Sequence, residues 1–306
     1  MLAADDGVAP NIIAPVRMSS TFGDLLAARV AERESQIVLG LDPDPGALWP
    51  EVASGAGSTA AAVVAHCRAV IDAAGPACVA VKPQLACFER LGAAGWEALE
   101  AVFAHARERG LLTIADGKRG DIAVSAHAYA QALFEGLRAD LATVNPLLGR
   151  DAIEPFVAGA RAADAGVLLL VRTSNPGAAD IEDLELADGG RLWERLARIT
   201  DELGADGVGE AGLSDVGAVL GATEPHHIPR ARELMPHAIL LLPGVGAQGG
   251  RVEDVAAAFA AARAGGLVTA SRSIVGAYRT DGGDPAHSAR AEAERLRSTA
   301  WALAPA

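Results

Sequence analysis

An Asp-x-Lys-x-x-Asp pattern is the part of the sequence where residue types and spacing could support catalysis. Asp116, Lys118 and Asp121 follow the apolar run 111–115, which has the composition of a buried strand. On a strand, side chains two residues apart share a face, so Asp116 and Lys118 are predicted to point the same way. The intervening glycines are expected to let the backbone turn there. The alternative is a solvated loop that holds an ordinary ion pair.

A second lysine, Lys82, follows the preceding apolar run, 78–81. Adjacent parallel strands end side by side, so Lys82 is expected to reach Asp116 and Lys118. Two unit charges about 4 Å apart interact by roughly 4 kcal/mol at an effective dielectric constant near 20. We therefore expect alternating lysine and aspartate side chains that hold one another ionised, with a lysine positioned as a proton donor. Taken alone, Lys82 could also be a rim lysine that pairs with any neighbouring acid.

A glycine pattern suggests a phosphate site. Gly244-Val-Gly246-Ala-Gln-Gly249 stands between the apolar run 238–242 and a predicted helix. A dinucleotide-binding fold would place an acid near the end of the next strand, whereas Arg272 stands there. Glycines after the seventh strand and an arginine after the eighth suit the usual phosphate site of a barrel enzyme, in which loop amides and a helix N-terminus are the donors. The alternative is that these are plain turn glycines.

Other polar residues also follow apolar runs. Asp42 could accept hydrogen bonds from sugar hydroxyls, and Asn145, Ser174 and Asn175 offer neutral donors and acceptors for the amide edges of a heterocycle. Taken singly, each is more typical of a turn or a helix cap. The histidines show no ligand spacing with nearby acids, so we predict no metal site.

The elements that must position these residues recur as eight units, each a short apolar run followed by an Ala-rich helical stretch. The runs are 37–41, 78–81, 111–115, 141–144, 167–171, 216–220, 238–242 and 267–270. The predicted helices lie near 58–74, 94–109, 124–138, 150–163, 190–204, 225–235, 252–264 and 284–303, and another over 22–34 precedes the first strand. This order predicts a (β/α)8 TIM barrel with an extra N-terminal helix. The polar residues cluster after the strands, which is the active-site face of such a barrel.

Composition agrees with this fold and limits the partners. Hydrophobic residues make up 51% of the chain and aromatic residues 4%, as expected for parallel strands under Ala-rich helices. No Pro/Ser-rich linker divides residues 18–306, which we predict to be one catalytic domain, and 1–17 are predicted to be a disordered extension. The net charge of −13 argues against nucleic acid as a partner. No apolar run is long enough to predict a membrane span. Three cysteines without metal-ligand spacing, and a start that does not look like a signal peptide, predict a cytoplasmic protein.

With these motifs assembled, the chain resembles the orotidine 5'-phosphate decarboxylase family in its longer bacterial form. The resemblance spans about residues 18–300 and rests on these segments in order: LGLDPD from 39, VKPQ from 81, DGKRGDI from 116, TVNP from 143, RTSNP from 172, PGVGAQG from 243 and SRSI from 271. It implies a homodimeric barrel enzyme that converts orotidine 5'-phosphate (OMP) to UMP and CO2, the last step of de novo pyrimidine nucleotide synthesis. It also implies that neither a metal nor an organic cofactor takes part.

The resemblance further implies roles for individual residues. Lys118 is the expected proton donor to C6 of the pyrimidine, and Asp116 is expected to lie against the substrate carboxylate. The remaining expected site residues are Lys82 and Asp42 at the ribose hydroxyls, Asp121 in the site of the other subunit, Gln248 and Arg272 at the phosphate, Ser174 at the pyrimidine, and Asn145 and Ser125 as further substrate contacts.

Two positions depart from the family pattern. Ser125 stands where the family often has threonine, and Ser271 stands where many members have glycine before the phosphate-binding arginine. Both keep a hydroxyl or amide donor, so they affect fine contacts and not the reaction. The segment 174–190, rich in Pro, Gly and Asp, is a candidate lid.

Two other functions remain open for such a barrel. A hexulose-phosphate synthase shares the Asp-x-Lys-x-x-Asp pattern but uses a magnesium ion, and Arg119-Gly120 before Asp121 favours the decarboxylase. A non-catalytic phosphosugar-binding regulator would not need the complete set of Lys82, Asp116 and Lys118.

Overall fold

The computed structural model describes residues 21–187 and 189–305, so the predicted extension 1–17 lies outside the described residues. Eight parallel strands pair in chain order, and the last pairs with the first to close a barrel. The predicted TIM barrel is therefore confirmed. The strands are β1 Ile37–Leu41, β2 Ala80–Pro83, β3 Leu112–Arg119, β4 Leu141–Val144, β5 Gly166–Arg172, β6 Val216–Leu220, β7 Leu240–Pro243 and β8 Gly266–Ala270.

Helices surround the barrel and connect its strands. The α-helices are α1 Phe22–Arg33, α2 Pro50–Ala53, α3 Thr59–Ala74, α4 Leu85–Glu89, α5 Ala93–Glu108, α6 Ala123–Gln131, α7 Arg150–Ala162, α8 Ala178–Ile181, α9 Leu192–Gly204, α10 His227–Leu234, α11 Arg272–Val275, α12 Tyr278–Asp281 and α13 Pro285–Leu303. The 3-10 helices span Gly75–Ala77, Ala205–Gly207, Val252–Phe259 and Arg263–Gly265, and a π-helical turn spans Ala132–Gly136. Among the described residues, no helix is both long and apolar enough to cross a bilayer.

The extra N-terminal helix closes the amino-terminal end of the barrel. A capping box between Thr21 and Asp24 starts α1, and its apolar side buries Phe22, Leu26 and Val30. These three side chains pack in one cluster with interior strand residues such as Val38, Leu112, Ile114 and Leu168. A larger cluster lies between the strands and the outer helices. The amino-terminal end is thus filled by hydrocarbon, and the carboxyl-terminal end is left for polar residues.

Several predicted boundaries are wrong, each for a tertiary reason. The strand predicted at 111–115 continues to Arg119, because pairing with β4 resumes there after a register shift. The helix predicted at 252–264 is two 3-10 helices with a non-helical residue, Val255. The carbonyls of Ala258 and Gly265 accept hydrogen bonds from the buried guanidinium of Arg232, at 2.8 and 3.0 Å. These hydrogen bonds connect Arg232 to another helical segment, and the local sequence does not reveal them.

Candidate active site

The predicted charge cluster forms around Asp116 at the carboxyl-terminal end of the barrel. The Asp116 side chain is buried and its carboxylate accepts hydrogen bonds on both oxygens. Oδ1 accepts from Lys118 Nζ at 2.6 Å and from the Thr143 hydroxyl at 3.0 Å. Oδ2 accepts from Lys82 Nζ, and from Gln84 Nε2 at 3.2 Å. Two ammonium groups therefore bracket one carboxylate.

The electrostatics of this cluster keep Asp116 ionised. Burial by itself would raise the pKa of Asp116, because a charged carboxylate is poorly solvated inside the protein. The nearby charges of Lys82 and Lys118, and the hydrogen bonds from both, outweigh burial and lower the pKa to about 2. Asp116 is consequently a fixed negative charge at neutral pH.

Lys118 has an unusual backbone. Its φ is +49°, in the left-handed region that non-glycine residues rarely occupy. Its N–H donates to the Thr143 hydroxyl at 2.9 Å, and that hydroxyl donates to Asp116. Such strain persists only where surrounding contacts enforce it, and it is concentrated at functional sites. Thr143 thus holds both the backbone of Lys118 and the carboxylate that faces its ammonium group.

The glycines of this segment have a role different from the predicted one. Gly117 lies inside β3, and neither Gly117 nor Gly120 has a positive φ, so neither glycine adopts a left-handed conformation here. A side chain at Gly120 would place its Cβ 3.1 Å from the backbone oxygen of Asn145. Gly120 is therefore needed for the close approach of the chain segments that follow β3 and β4.

A cavity of about 610 Å³ opens above the charge cluster at the ends of the strands. Most of the predicted site residues line it: Asp42, Lys82, Asp116, Lys118, Asn145, Ser174, Gln248 and Arg272. Asp121 and Ser125 are not among the described residues that line the cavity. Asp121 is half-buried beyond β3, where its carboxylate accepts a hydrogen bond from the N–H of Ile122 at 2.8 Å. Ser125 is exposed in the first turn of α6.

The glycine loop after β7 forms one wall of the cavity. Gly244, Gly246 and Gly249 have φ values of +106°, +81° and +94°, which explains the glycine at each position. The loop carries Gln248, whose side-chain oxygen accepts from the Ser174 hydroxyl at 3.3 Å. A 3-10 helix follows this loop in place of the predicted α-helix, and α11 begins beside the cavity, at Arg272. The donors on this wall are loop amides and side chains, with Arg272 next to them on α11.

Sequence reasoning missed Thr143 and Gln84 as site residues. Each lies two residues from a residue already quoted, Thr143 from Asn145 and Gln84 from Lys82, so the two-residue period of a strand could have found both. A stronger signal was also overlooked. Lys82 and Lys118 are the only lysines in the chain, in which lysine and arginine together number 26. A chain that otherwise uses arginine keeps lysine only at this cluster.

Among the described residues, one group of two histidines and an acid brings three possible metal ligands together, contrary to the sequence-based expectation. Glu224, His226 and His227 place one ligand atom each within 4.8 Å of one another. The group lies at the start of α10, where the helix dipole disfavours a cation. The positive charge of Arg172 also acts on His227. The prediction of no metal site therefore stays a prediction.

Comparison with known proteins identifies the family. A model described as "Orotidine 5'-phosphate decarboxylase / HUMPS family" matches residues 35–290. The chain belongs to this family. The family member orotidine 5'-phosphate decarboxylase of Rhodopirellula baltica is 41% identical over 273 residues, which cover 85% of this chain and 90% of the relative.

Solved structures extend the family relationship to the fold. The structure of Leishmania donovani OMP decarboxylase is 33% identical with a TM-score of 0.73, covering 92% of this chain and 98% of that chain. Leishmania donovani UMP synthase is 34% identical with a TM-score of 0.75, covering 93% of this chain. This chain spans only 57% of that longer protein.

Proposed function

We propose that the protein catalyses the decarboxylation of OMP to UMP and CO2. The observation that carries this proposal is the group of two ammonium ions around the ionised Asp116, at the floor of a cavity in a chain of this family. Relatives of known name, about 40% identical over most of the chain, are orotidine 5'-phosphate decarboxylases. The reaction is the last step of pyrimidine nucleotide synthesis de novo.

The charges suggest how the reaction proceeds. The substrate carboxylate lies beside Asp116, and the repulsion between the two negative groups disappears as neutral CO2 leaves. The bond from C6 to the carboxylate carbon breaks, and its electron pair stays on C6. The Lys118 ammonium stabilises this developing negative charge and then donates a proton to C6. The Lys118 side chain is 44% exposed, so the resulting amine can regain a proton from water.

The other lining residues would bind the parts of the substrate that do not react. Asp42 and Lys82 are assigned to the ribose hydroxyls, and Ser174 and Asn145 to the pyrimidine. The phosphate is assigned to Gln248, Arg272 and the amides of the glycine loop. The net charge of −13 repels an anionic substrate, so these local donors must supply the attraction. Phosphate binding far from C6 would then contribute energy for ordering the charges.

We assign the biological unit as a homodimer with shared active sites. The family resemblance assigns Asp121 to the partner's site, which is compatible with its position outside this subunit's cavity. Large apolar side chains are exposed on the segments that follow the neighbouring strands β3 and β4. They are Ile122, Val124, Tyr129, Leu147 and Leu148, of which Val124 is 82% exposed. An apolar patch of this kind is typical of a surface covered by a partner.

Three further assignments complete the proposal. Residues 18–306 form one catalytic domain, as the shared hydrophobic clusters of the described residues support. Cys67, Cys78 and Cys87 are all free thiols, which is expected in a reducing compartment and supports a cytoplasmic location. The net negative charge supports the absence of nucleic acid among the partners.

Incubation with OMP tests the proposed function. We expect the absorbance of OMP to fall as UMP forms, at a rate that EDTA does not change. A preparation that leaves OMP intact would contradict the proposal. Activity that EDTA abolishes and magnesium restores would point instead to the chemistry of a hexulose-phosphate synthase, which can be assayed on its sugar phosphate.

A further inference from the structure

Arg172 lies outside the assigned catalytic cluster, and its buried guanidinium pairs with two carboxylates near the cavity. It is the last residue of β5 and is 6% exposed. Its Nε and Nη2 donate to the two carboxylate oxygens of Asp183, both at 3.0 Å. Its Nη1 donates to the backbone oxygen of Thr173 at 2.7 Å and lies 3.7 Å from Glu182 Oε2. The guanidinium thus joins the end of the strand to residues 182 and 183.

Glu182 makes a second connection, between its own position and Thr173, the residue that follows β5. Its carboxylate accepts from the Thr173 N–H at 2.8 Å and from the Thr173 hydroxyl at 3.0 Å. Its backbone oxygen accepts from the N–H of Trp193 at 2.8 Å, which fixes it to α9. The two ends of segment 173–183 are therefore tied to each other and to the barrel. A compact loop whose ends meet in this way is an Ω-loop.

The residues between the two ends form part of the cavity wall. Ser174, Asn175, Gly177, Ala178 and Ile181 all line the cavity. Ser174 also reaches across it to Gln248 of the glycine loop, at 3.3 Å. The position of this wall consequently depends on contacts at the two ends of the loop, where Thr173 and Glu182 also line the cavity and Arg172 and Asp183 lie behind it.

We propose that Arg172 is a positioning residue, whose ion pairs with Asp183 and Glu182 hold the loop 173–183 so that it presents Ser174 to the pyrimidine. This inference rests on the proposed function and extends it to Arg172 and Asp183, which are not among the described residues that line the cavity. Arg172 acts through the loop and does not touch the substrate.

Physical chemistry favours an arginine in this role. A planar guanidinium binds a carboxylate through two parallel hydrogen bonds, whereas an ammonium is a point charge that cannot fix the orientation. The hydrogen bonds from Arg172 lower the pKa of Asp183, so the pair stays charged at neutral pH. Arg191 and His227 also act on Asp183, and Arg191 Nη1 lies 3.8 Å from it. Without Arg172, two carboxylates would be left close together with little compensating charge.

The same chain provides a matched control. Arg161 of α7 makes a similar two-bonded pair with Asp215, at 2.7 and 3.1 Å. Asp215 directly precedes β6, so this pair lies at the amino-terminal end of the barrel, away from the cavity. Arg161→Gln removes an ion pair of the same two-bonded geometry without altering the loop, with the Arg161 side chain 36% exposed and that of Arg172 7% exposed. Any general effect of losing such a pair on stability should therefore appear in both variants.

The experiment compares Arg172→Gln, Arg172→Lys and Arg161→Gln with the wild-type protein. We expect Arg172→Gln to raise the KM for OMP by about tenfold or more, because a displaced loop weakens contacts with the substrate. Its kcat should fall much less, since Lys118 and Asp116 are untouched. Hydrogen–deuterium exchange should rise in the peptide covering 174–187. Arg172→Lys should recover only part of the KM, and Arg161→Gln should change neither KM nor exchange in this loop.

Asp183→Asn provides a second route if Arg172→Gln does not fold. It keeps the shape of the side chain, removes one partner of the pair, and should raise KM and loop exchange in the same way. Equal KM values and equal exchange in the Arg172, Asp183 and Arg161 variants would overturn the positioning role. A wild-type protein without activity on OMP would instead overturn the proposed function, whereas increased exchange of the loop in the Arg172 variant would still show that Arg172 holds it.

Discussion

At the scale of single residues, the site depends on two lysines that the rest of the sequence does not use. Lysine and arginine together number 26 in the chain, and all of them except Lys82 and Lys118 are arginines. A lysine ammonium is a compact charge that can give up a proton, whereas a guanidinium stays protonated under all ordinary conditions. The restriction of lysine to Lys82 and Lys118 is therefore best explained by a chemical requirement at this cluster.

Lys82→Arg tests this requirement while keeping the charge. Lys82 is buried against Asp116, and the larger planar group should displace the carboxylate that faces the substrate. We expect kcat/KM for OMP to fall by about a hundredfold or more. The circular dichroism spectrum of the variant should show that the fold is retained. Arg68→Lys, at a helical position outside the cavity, is a matched control that should keep full activity. A fully active Lys82→Arg enzyme would refute the need for a lysine there.

The depressed pKa of Asp116 predicts a dependence of stability on pH. The pKa of this carboxyl is 3.8 in an unfolded chain and about 2 in the folded protein, so the unfolded chain binds a proton first as the pH falls. The stabilisation from this group is complete above about pH 4 and is lost as the pH falls through 2. The shift corresponds to roughly 2 kcal/mol of unfolding free energy.

Denaturant titrations between pH 5 and pH 2 measure this contribution. The unfolding free energy of Asp116→Asn should decline less steeply over this range than that of the wild-type protein, because its amide cannot titrate. Parallel curves for the two proteins would show that Asp116 is not held ionised by the lysines.

The sequence predicted most of these residues, but not their geometry. Asp116 and Lys118 were placed together by the two-residue period of a strand, which gives the right neighbours. The structure reaches that arrangement through a left-handed residue at Lys118 and a register shift in β3. The contact of Thr143 with both residues depends on how β4 lies against that irregular strand. No pattern within a single segment could reveal it.

At the scale of elements, Trp49 fixes the loop that follows β1 and carries Asp42. Its backbone N–H donates to Nδ1 of His66 on α3 at 3.1 Å, and its indole N–H donates to the backbone oxygen of Val275 at 2.9 Å. Val275 ends α11, the helix that begins with Arg272. One buried tryptophan therefore links the loop of Asp42 to the helix of the proposed phosphate ligand.

His66 gives this link its own pH dependence. Burial lowers the pKa of His66 from 6.5 to about 4, so the ring is neutral in the folded protein at neutral pH. The unfolded chain takes up a proton near pH 6.5 and the folded protein does not, so stability falls as the pH decreases from 6.5 to 4. The shift corresponds to roughly 3 kcal/mol.

His66→Asn should remove this component, because an amide oxygen can accept the Trp49 N–H but cannot titrate. The unfolding free energy of the variant should therefore be flatter between pH 6.5 and 4. His287→Asn, at an exposed histidine of α13, should leave the wild-type slope unchanged. The same slope in the His66 and His287 variants would mean that His66 is not held neutral.

The elements themselves were predictable to the extent that local pattern controls them. Each strand prediction overlaps the observed strand, because a buried parallel strand is a short apolar run in this chain. The α-helix prediction for the Ala-rich segment 252–264 is wrong because Arg232, on another helix, donates hydrogen bonds to the carbonyls of Ala258 and Gly265. The ion pair between Arg172 and Asp183 could not be predicted from a local pattern either, because the two residues are 11 positions apart in the sequence.

At the scale of the whole molecule, the proposed dimer predicts complementation between inactive variants. Lys118→Ala removes a group from the subunit's own site, and Asp121→Asn removes one from the partner's site. A mixed dimer would have one site with both defects and one site with neither. Random exchange gives about half mixed dimers with one intact site each, so activity should recover to roughly a quarter of wild type.

A mixture of Lys82→Ala and Lys118→Ala is the matched control for this exchange. Both changes affect the subunit's own site, so no mixed dimer contains an intact site and no recovery is expected. Recovery must be measured after exchange has been verified with differently tagged subunits. If the first mixture stays inactive after exchange, Asp121 serves its own subunit and the shared-site arrangement is wrong.

Turnover of OMP by Lys118→Ala tests most directly whether this ammonium is the proton donor. The measurement is the rate of OMP consumption under saturating substrate, with UMP binding measured alongside to show that the cavity is intact. We expect UMP still to bind and turnover to fall by at least about a thousandfold, because Lys82 is the only other lysine in the chain and is held on the far oxygen of Asp116. Turnover within about tenfold of wild type would contradict the assignment of Lys118 as the donor.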